Sequence, residues 1–256
     1  MHFIDTHAHI YLEQFKDDLD ATIKRAISTG VQTIYLPNID GLSIQGMLQT
    51  ERLYPEICHA MMGLHPCSVN KDFAFELEEI EKWFKKRDFV AIGETGIDLY
   101  WDKTFIEEQR EAFTFQIELA KKLKRPIVIH SRESLNITIE LIAKHHSDDL
   151  KGIFHCFNGS SIQAKQIAEM GFYMGIGGVV SYKNGGLDKV LTEVGPENFV
   201  LETDSPYLAP NPHRGKRNEP SFIPVIAQKM ADFCNLPLQE IAKITTQNAM
   251  TVYHHG

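Results

Sequence analysis

Short apolar runs rich in Ile, Val and Phe recur along the chain every few tens of residues. Each is bounded by Gly, Pro, Asn or Asp and followed by a stretch of helical periodicity. Eight such runs begin near Phe3, Val31, Ile57, Phe89, Ile127, Gly152, Phe172 and Phe199. Val90-Ala-Ile and Ile127-Val-Ile are continuously apolar, as parallel strands buried on both faces must be. Between the runs, Asp17 to Ser28, Glu76 to Lys86, Ile106 to Leu123 and Leu135 to His145 carry apolar residues at three-and-four spacing with Lys and Glu between them, the pattern of crossover helices. Gly30 and Pro126 mark helix ends. After the eighth run, a loop from Pro206 to Pro220 holds four prolines and a basic cluster, and two helical stretches close the chain.

Eight strand-helix units in 256 residues predict a single (β/α)₈ barrel over residues 1–256, since such barrels take roughly 250 residues. A doubly wound open sheet uses the same alternation. It needs a glycine-rich phosphate loop after the first strand, where His7-Ala8-His9 stands instead.

A barrel of this kind carries its active site at the carboxyl ends of the strands, so the polar residues closing each run matter most. They are His7-Ala8-His9, Gly63-Leu64-His65-Pro66, Gly93-Glu94-Thr95-Gly96, His130-Ser131-Arg132, His155-Cys156-Phe157 and Glu202-Thr203-Asp204-Ser205-Pro206. Five histidines and the carboxylates Glu94 and Asp204 thus fall at comparable heights on six strands. Imidazole and carboxylate form a mixed nitrogen and oxygen set suited to Zn²⁺, Mn²⁺, Fe²⁺ or Co²⁺. The predicted ligands are His7, His9, Glu94, His130, His155 and Asp204, with Glu94 the candidate bridge between two ions about 3.5–4 Å apart. Period-two alternation puts Asp5 beside His7 and His9, and Glu202 beside Asp204. Each either orients a ligand imidazole or is a structural carboxylate satisfied by backbone N–H groups. His59, His145 and His146 lie away from strand ends and are expected to be structural.

Composition narrows this picture little. The chain is 43% hydrophobic, enough for one large core, and its net charge of −8 repels polyanions at long range. Any nucleic-acid contact must be local, and His213-Arg214-Gly-Lys216-Arg217-Asn218 is the candidate patch, with Arg132 and Lys183 adding to it. The alternative is a solvated loop whose charges pair with Glu219 and its neighbours. Tyr207 and Phe157 are candidates for base stacking, with core packing equally open to Phe157. Cys58, Cys67, Cys156 and Cys234 form no Cys-x-x-Cys pair and are expected to be reduced core thiols. Neither a signal peptide nor a membrane span is recognisable, so a cytoplasmic protein is expected; a monomer is expected as well. No function attaches to His254-His255-Gly256.

The motifs resemble those of the TatD family of metal-dependent deoxyribonucleases, within the broader amidohydrolase-like barrels. The resemblance spans the whole chain, through Phe3-Ile-Asp-Thr-His-Ala-His9, Gly63-Leu-His-Pro66, Ile92-Gly-Glu-Thr-Gly-Ile-Asp98, Pro126-Ile-Val-Ile-His-Ser-Arg132, His155-Cys-Phe157 and Leu201-Glu-Thr-Asp-Ser-Pro-Tyr-Leu-Ala-Pro210. It implies that His7, His9, Glu94 and Asp204 hold one ion and Glu94, His130 and His155 a second, with His65 near the scissile phosphate. It also implies cleavage of DNA phosphodiester bonds, often 3′ to 5′ on single strands, supported by Mg²⁺ or Mn²⁺; Zn²⁺ also suits the ligands. Many binuclear relatives such as phosphotriesterases bridge their metals with a carboxylated lysine, and Glu94 stands in that place here. The expected mechanism is attack on phosphorus by metal-bound hydroxide, with Asp204 as general base, Glu94 as bridge, and His65, Arg132 and Arg214 contacting substrate. The chief alternative is a deacylase or amidohydrolase acting on a carbonyl, for example in D-aminoacyl-tRNA, because the same chemistry attacks carbonyl carbon. A barrel that only binds a partner is the third.

Overall fold

A strand buried on both faces satisfies its backbone in parallel ladders covered by crossover helices, and every predicted run does so. The structure, a computed structural model, describes residues 1–183 and 185–253, so the terminal His254-His255-Gly256 lies outside the described residues. The strands are β1 (Phe3–Asp5), β2 (Val31–Leu36), β3 (Cys58–Ala60), β4 (Ile92–Asp98), β5 (Ile127–Arg132), β6 (Gly152–Phe154), β7 (Tyr173–Ile176) and β8 (Phe199–Leu201). The helices are α1 (Leu19–Ser28), α2 (Ile44–Leu53), α3 (Phe73–Lys86), α4 (Ile106–Leu123), α5 (Leu135–Lys144), α6 (Ser161–Glu169), α7 (Leu187–Val194), α8 (Ile223–Cys234) and α9 (Leu238–Tyr253). β1 to β3 form one parallel ladder and β4 to β8 another. Parallel bridges Met62 to Ile92 and Ala8 to Ser205 join them at both seams. The sheet therefore closes into a (β/α)₈ barrel, which excludes the open doubly wound arrangement.

The barrel interior draws on every strand or its edge: Ile4, Tyr35, Met61, Ala91, Val128, Ile153 and Val200 cluster, with Tyr173 against them. Helix α9 joins this cluster through Ala249, Val252 and Tyr253. Tyr253 stacks on Tyr35 at 3.7 Å and donates to the Thr6 carbonyl at 3.3 Å. A second, larger core between strands and helices includes Phe3, Ile34, Phe113, Ile142 and Phe199.

The ladders end earlier than the sequence pattern predicts. β1 stops at Asp5, β3 at Ala60 and β6 at Phe154, short of the histidines that follow them. Single bonds keep the chain at the rim: Thr6 N–H to Leu201 O at 3.0 Å, Ala8 N–H to Tyr35 O at 3.1 Å and His9 N–H to Ser205 O at 2.8 Å. Only Glu94 and His130 of the six predicted ligands lie inside ladders. Their strands approach closely because Gly96, at φ 138, faces the His130 backbone where any Cβ would overlap it.

Candidate metal centre

The carboxyl rim brings all six predicted ligands together. His7 Nε2 lies 3.2 Å from His9 Nε2, 3.1 Å from Glu94 Oε2 and 3.8 Å from Asp204 Oδ1. His9 Nε2 is 3.4 Å from Glu94 Oε2 and 3.7 Å from Asp204 Oδ1. The other carboxylate oxygen, Glu94 Oε1, lies 2.8 Å from both His130 Nδ1 and His155 Nε2, which are 3.3 Å apart. Nitrogen and oxygen ligands at about 2.0–2.2 Å from one cation stand about 3.0–3.5 Å from their neighbours, by simple tetrahedral or octahedral geometry. Two donor groups come near that spacing, one at 3.1–3.8 Å and the other at 2.8–3.3 Å, and Glu94 gives one oxygen to each. The residues therefore fit a pair of divalent ions.

Supporting hydrogen bonds set which imidazole nitrogens keep a free lone pair. The Tyr11 hydroxyl donates to the Pro37 carbonyl at 2.6 Å, so its oxygen accepts from His9 Nδ1–H at 2.9 Å and leaves His9 Nε2 bare toward the cradle. His130 Nε2–H donates to Asp98 Oδ2 at 2.9 Å, which turns its bare Nδ1 toward Glu94. His65 is oriented the other way. Its Nδ1 accepts the Cys67 N–H at 3.0 Å, so Nε2 carries the proton and faces Glu94 Oε1 at 3.4 Å as a donor.

Charge follows the same plan. Burial opposes ionisation of Glu94, but His155, His65, His7 and His130 outweigh it and hold the carboxyl well below its usual range. Burial likewise opposes protonation of His155, yet Glu94 and Glu202 lift it well above the ordinary histidine value. The cradle thus stabilises positive charge. Burial raises Asp204 to about 6, against the pull of His155 and His9. Asp204 sits at φ 55, a conformation that Asp tolerates better than most residues and that is concentrated at functional sites.

Both neighbouring carboxylates accept backbone N–H groups, the structural alternative posed by the sequence, and Glu202 also sits beside a ligand ring. Asp5 accepts from Thr203 N–H at 2.9 Å, Thr203 Oγ1–H at 2.6 Å and His7 N–H at 3.2 Å, so it pins β1 to the chain after β8. Glu202 accepts the Cys156 N–H at 2.6 Å and lies 3.5 Å from His155 Nδ1, beside a ligand ring. Tyr11 and Asp98 went unpredicted as supports. The signal was present: two-residue spacing runs from His7 and His9 on to Tyr11, and from Glu94 on to Asp98.

A cavity of about 560 Å³ opens over the donors, walled by His65, Arg132, Trp101 and Tyr207 among others. Arg214 does not line it; its guanidinium stacks on Tyr182 at 4.5 Å. Arg217 is held in a bidentate pair with Asp18, at 2.7 Å for each bond, and Arg25 joins Asp18 to Glu219. The basic loop is thus partly spent on tying itself to α1. Lys183 is exposed, and His213 stacks on Phe222 at 4.1 Å. Phe157 is buried against Phe199, a core position. Among the described residues no helix is long and apolar enough to cross a membrane.

The family described as TatD related DNase matches residues 4–254. An uncharacterized metal-dependent hydrolase of Bacillus subtilis, YabD, is 36% identical over 97% of this chain and 98% of its own length. An uncharacterized metal-dependent hydrolase of Mycobacterium tuberculosis, TatD, is 30% identical over 99% and 98%. The crystal structure of the Escherichia coli TatD homologue YjjV superposes with a TM-score of 0.92 at 28% identity, covering 99% of this chain and 98% of that one. The chain belongs to the TatD-related family of metal-dependent hydrolases.

Proposed function

We propose that this hydrolase cleaves phosphodiester bonds of DNA, acting as a monomer on single strands without sequence specificity, in the 3′-to-5′ direction. The observation that carries the reading is the pairing of two donor groups across Glu94 with a proton-bearing His65 Nε2 aimed at the same carboxylate. A phosphoryl group, which gains negative charge on several oxygens at once, suits such a cradle. Two divalent ions, Mg²⁺, Mn²⁺ or Zn²⁺, would lower the pKa of a water from 15.7 toward about 7–9 and neutralise charge growing on the phosphoryl oxygens.

The chain's own groups do the rest. His7, His9 and Asp204 would hold one ion and His130 and His155 the other, with Glu94 serving both. Asp204, raised to about 6 by burial, accepts the proton of the attacking water at a carboxylate oxygen. His65 donates from Nε2 to a non-bridging phosphoryl oxygen. Arg132, exposed at the cavity wall, pairs with phosphate.

The test is a side-by-side assay of metal-loaded protein on single-stranded DNA and on acylated tRNA, with Asp204→Ala as control. Metal-dependent release of nucleotides that disappears in Asp204→Ala supports the reading. Deacylation of tRNA without nucleotide release, or DNA cleavage that survives Asp204→Ala, overturns it.

A further inference from the structure

Three of the five exposed aromatic rings among the described residues gather at the mouth of the metal cavity: Tyr100 at 50%, Trp101 at 68% and Tyr207 at 48% of their full exposure. Leaving large apolar faces in water is unfavourable, and a cluster of them beside a polar centre marks a contact surface. Trp101 and Tyr207 both line the cavity. Tyr100 and Trp101 meet edge to face at 4.9 Å, which props the indole.

Both rings are positioned through residues of the cradle, Trp101 through the support Asp98 and Tyr207 through the ligand Asp204. Asp98 Oδ1 accepts the N–H groups of Tyr100 and Trp101 at 2.9 and 3.1 Å, while its other oxygen holds His130. The Tyr207 N–H donates to the Asp204 carbonyl at 2.9 Å, and the buried Asn218 side chain donates to the Tyr207 carbonyl at 2.6 Å. The rings are therefore held at fixed places relative to the reacting centre. Arg132 lines the same cavity, its guanidinium 4.0 Å from the Tyr100 ring centre and 5.4 Å from that of Trp101. Stacking fixes this cation while leaving its in-plane N–H groups free; among the described residues it makes no ion pair, unlike Arg25, Arg87 and Arg217. An in-plane donor fork with aromatic faces beside it matches a nucleotide: phosphate to the fork, base to the face.

We propose that Trp101 and Tyr207 are stacking platforms for the nucleobases flanking the scissile phosphate, and that Arg132, braced on Tyr100, receives the adjacent phosphate. The assignment rests on the nuclease reading above and sharpens it. It explains how an acidic protein binds single strands without reading sequence, since every base presents a π face.

The test compares an all-base single-stranded oligonucleotide with one of equal length carrying abasic residues, which keeps the phosphates and removes the rings. Wild-type holoenzyme is expected to prefer the first by about tenfold or more in kcat/KM, the equivalent of at least about 1.4 kcal/mol. That ratio is expected to fall toward unity in Trp101→Ala and to be largely kept in Trp101→Phe. A ratio unchanged in Trp101→Ala overturns the proposal, whatever happens to the absolute rates. If neither oligonucleotide is cleaved, the nuclease reading fails, and the platform is judged by fluorescence in the Mg²⁺-loaded protein. Saturable quenching by 2′-deoxyadenosine 5′-monophosphate, lost in Trp101→Phe where Trp83 alone remains, supports a nucleobase subsite. Absence of quenching in the wild type overturns it.

Discussion

Replacing Tyr11 with Phe removes one oxygen and tests whether the imidazole orientation is set as the structure indicates. The Tyr11 hydroxyl joins the Pro37 carbonyl at 2.6 Å to His9 Nδ1 at 2.9 Å, and His9 is 3% exposed. In Tyr11→Phe the ring packing is kept, but the buried Nδ1–H loses its acceptor. An unpaired buried donor costs about 1–3 kcal/mol. The imidazole can escape part of that cost by moving its proton to Nε2, the atom that faces His7, Glu94 and Asp204. Either way the lone pair offered to a cation weakens, and loss of such a support costs roughly 10–100-fold in metal affinity, or about 1.4–2.7 kcal/mol. Titration of apoprotein with Zn²⁺ or Mn²⁺ against a competing chelator measures it. The site nearer His9 is expected to weaken within that range while the site at His130 and His155 changes less. Equal affinities for wild type and Tyr11→Phe would refute the reasoning, because the hydroxyl would then be a spectator.

Asp98→Ala removes the acceptor of His130 Nε2–H and is expected to weaken the second site by a similar 10–100-fold; Asp98→Asn, which keeps an oxygen, recovers part of the loss in the same titration, and failure to do so contradicts the orientation argument. Gly175→Ala places a Cβ against the carboxylate of the fully buried Glu202; overpacking of about 1–3 kcal/mol predicts a Tm lowered by about 2–12 °C, and a wild-type Tm would show that Glu202 swings aside freely. Asp18→Asn probes the tie between the loop after β8 and α1. Two bonds from Arg217, joined by Arg25, hold the Asp18 carboxyl far below its usual value. A depressed folded-state value gives stability that is present above the unfolded pKa of about 3.9 and lost as pH falls through the folded one. The variant is therefore expected to melt about 2–4 °C lower at pH 7, for a partly exposed pair costing about 1 kcal/mol, with the difference shrinking as the pH drops below 4. A difference that stays constant down to pH 2 would contradict the assignment.

Much of this site could be read from residue order, because a barrel converts strand number into angular position and strand end into height. Once the apolar runs are recognised, His7, His9, Glu94, His130, His155 and Asp204 are bound to share one rim. Helix α4 matches its predicted limits, and Lys124 at φ 51 caps it just ahead of Pro126. Strand ends were less legible: a ladder needs paired backbone groups, and at the rim β1 and β8 trade ladder bonds for single bonds and for the left-handed turn at Asp204. The surface was least legible of all. Nothing in the run His213 to Asn218 tells that Arg217 turns toward Asp18, nearly two hundred positions away, or that Arg214 lies over Tyr182. Nothing in the sequence marks Tyr100 and Trp101 either, because only the fold brings the Asp98 carboxylate to their N–H groups and Arg132 to their rings.

Anomalous diffraction from crystals soaked in Mn²⁺ addresses the two-ion cradle directly. Two peaks about 3.5–4 Å apart are expected, one among His7, His9 and Asp204 and the other beside His130 and His155, with one oxygen of Glu94 on each. Saturating Mn²⁺ that leaves no peak among these six side chains would contradict the account.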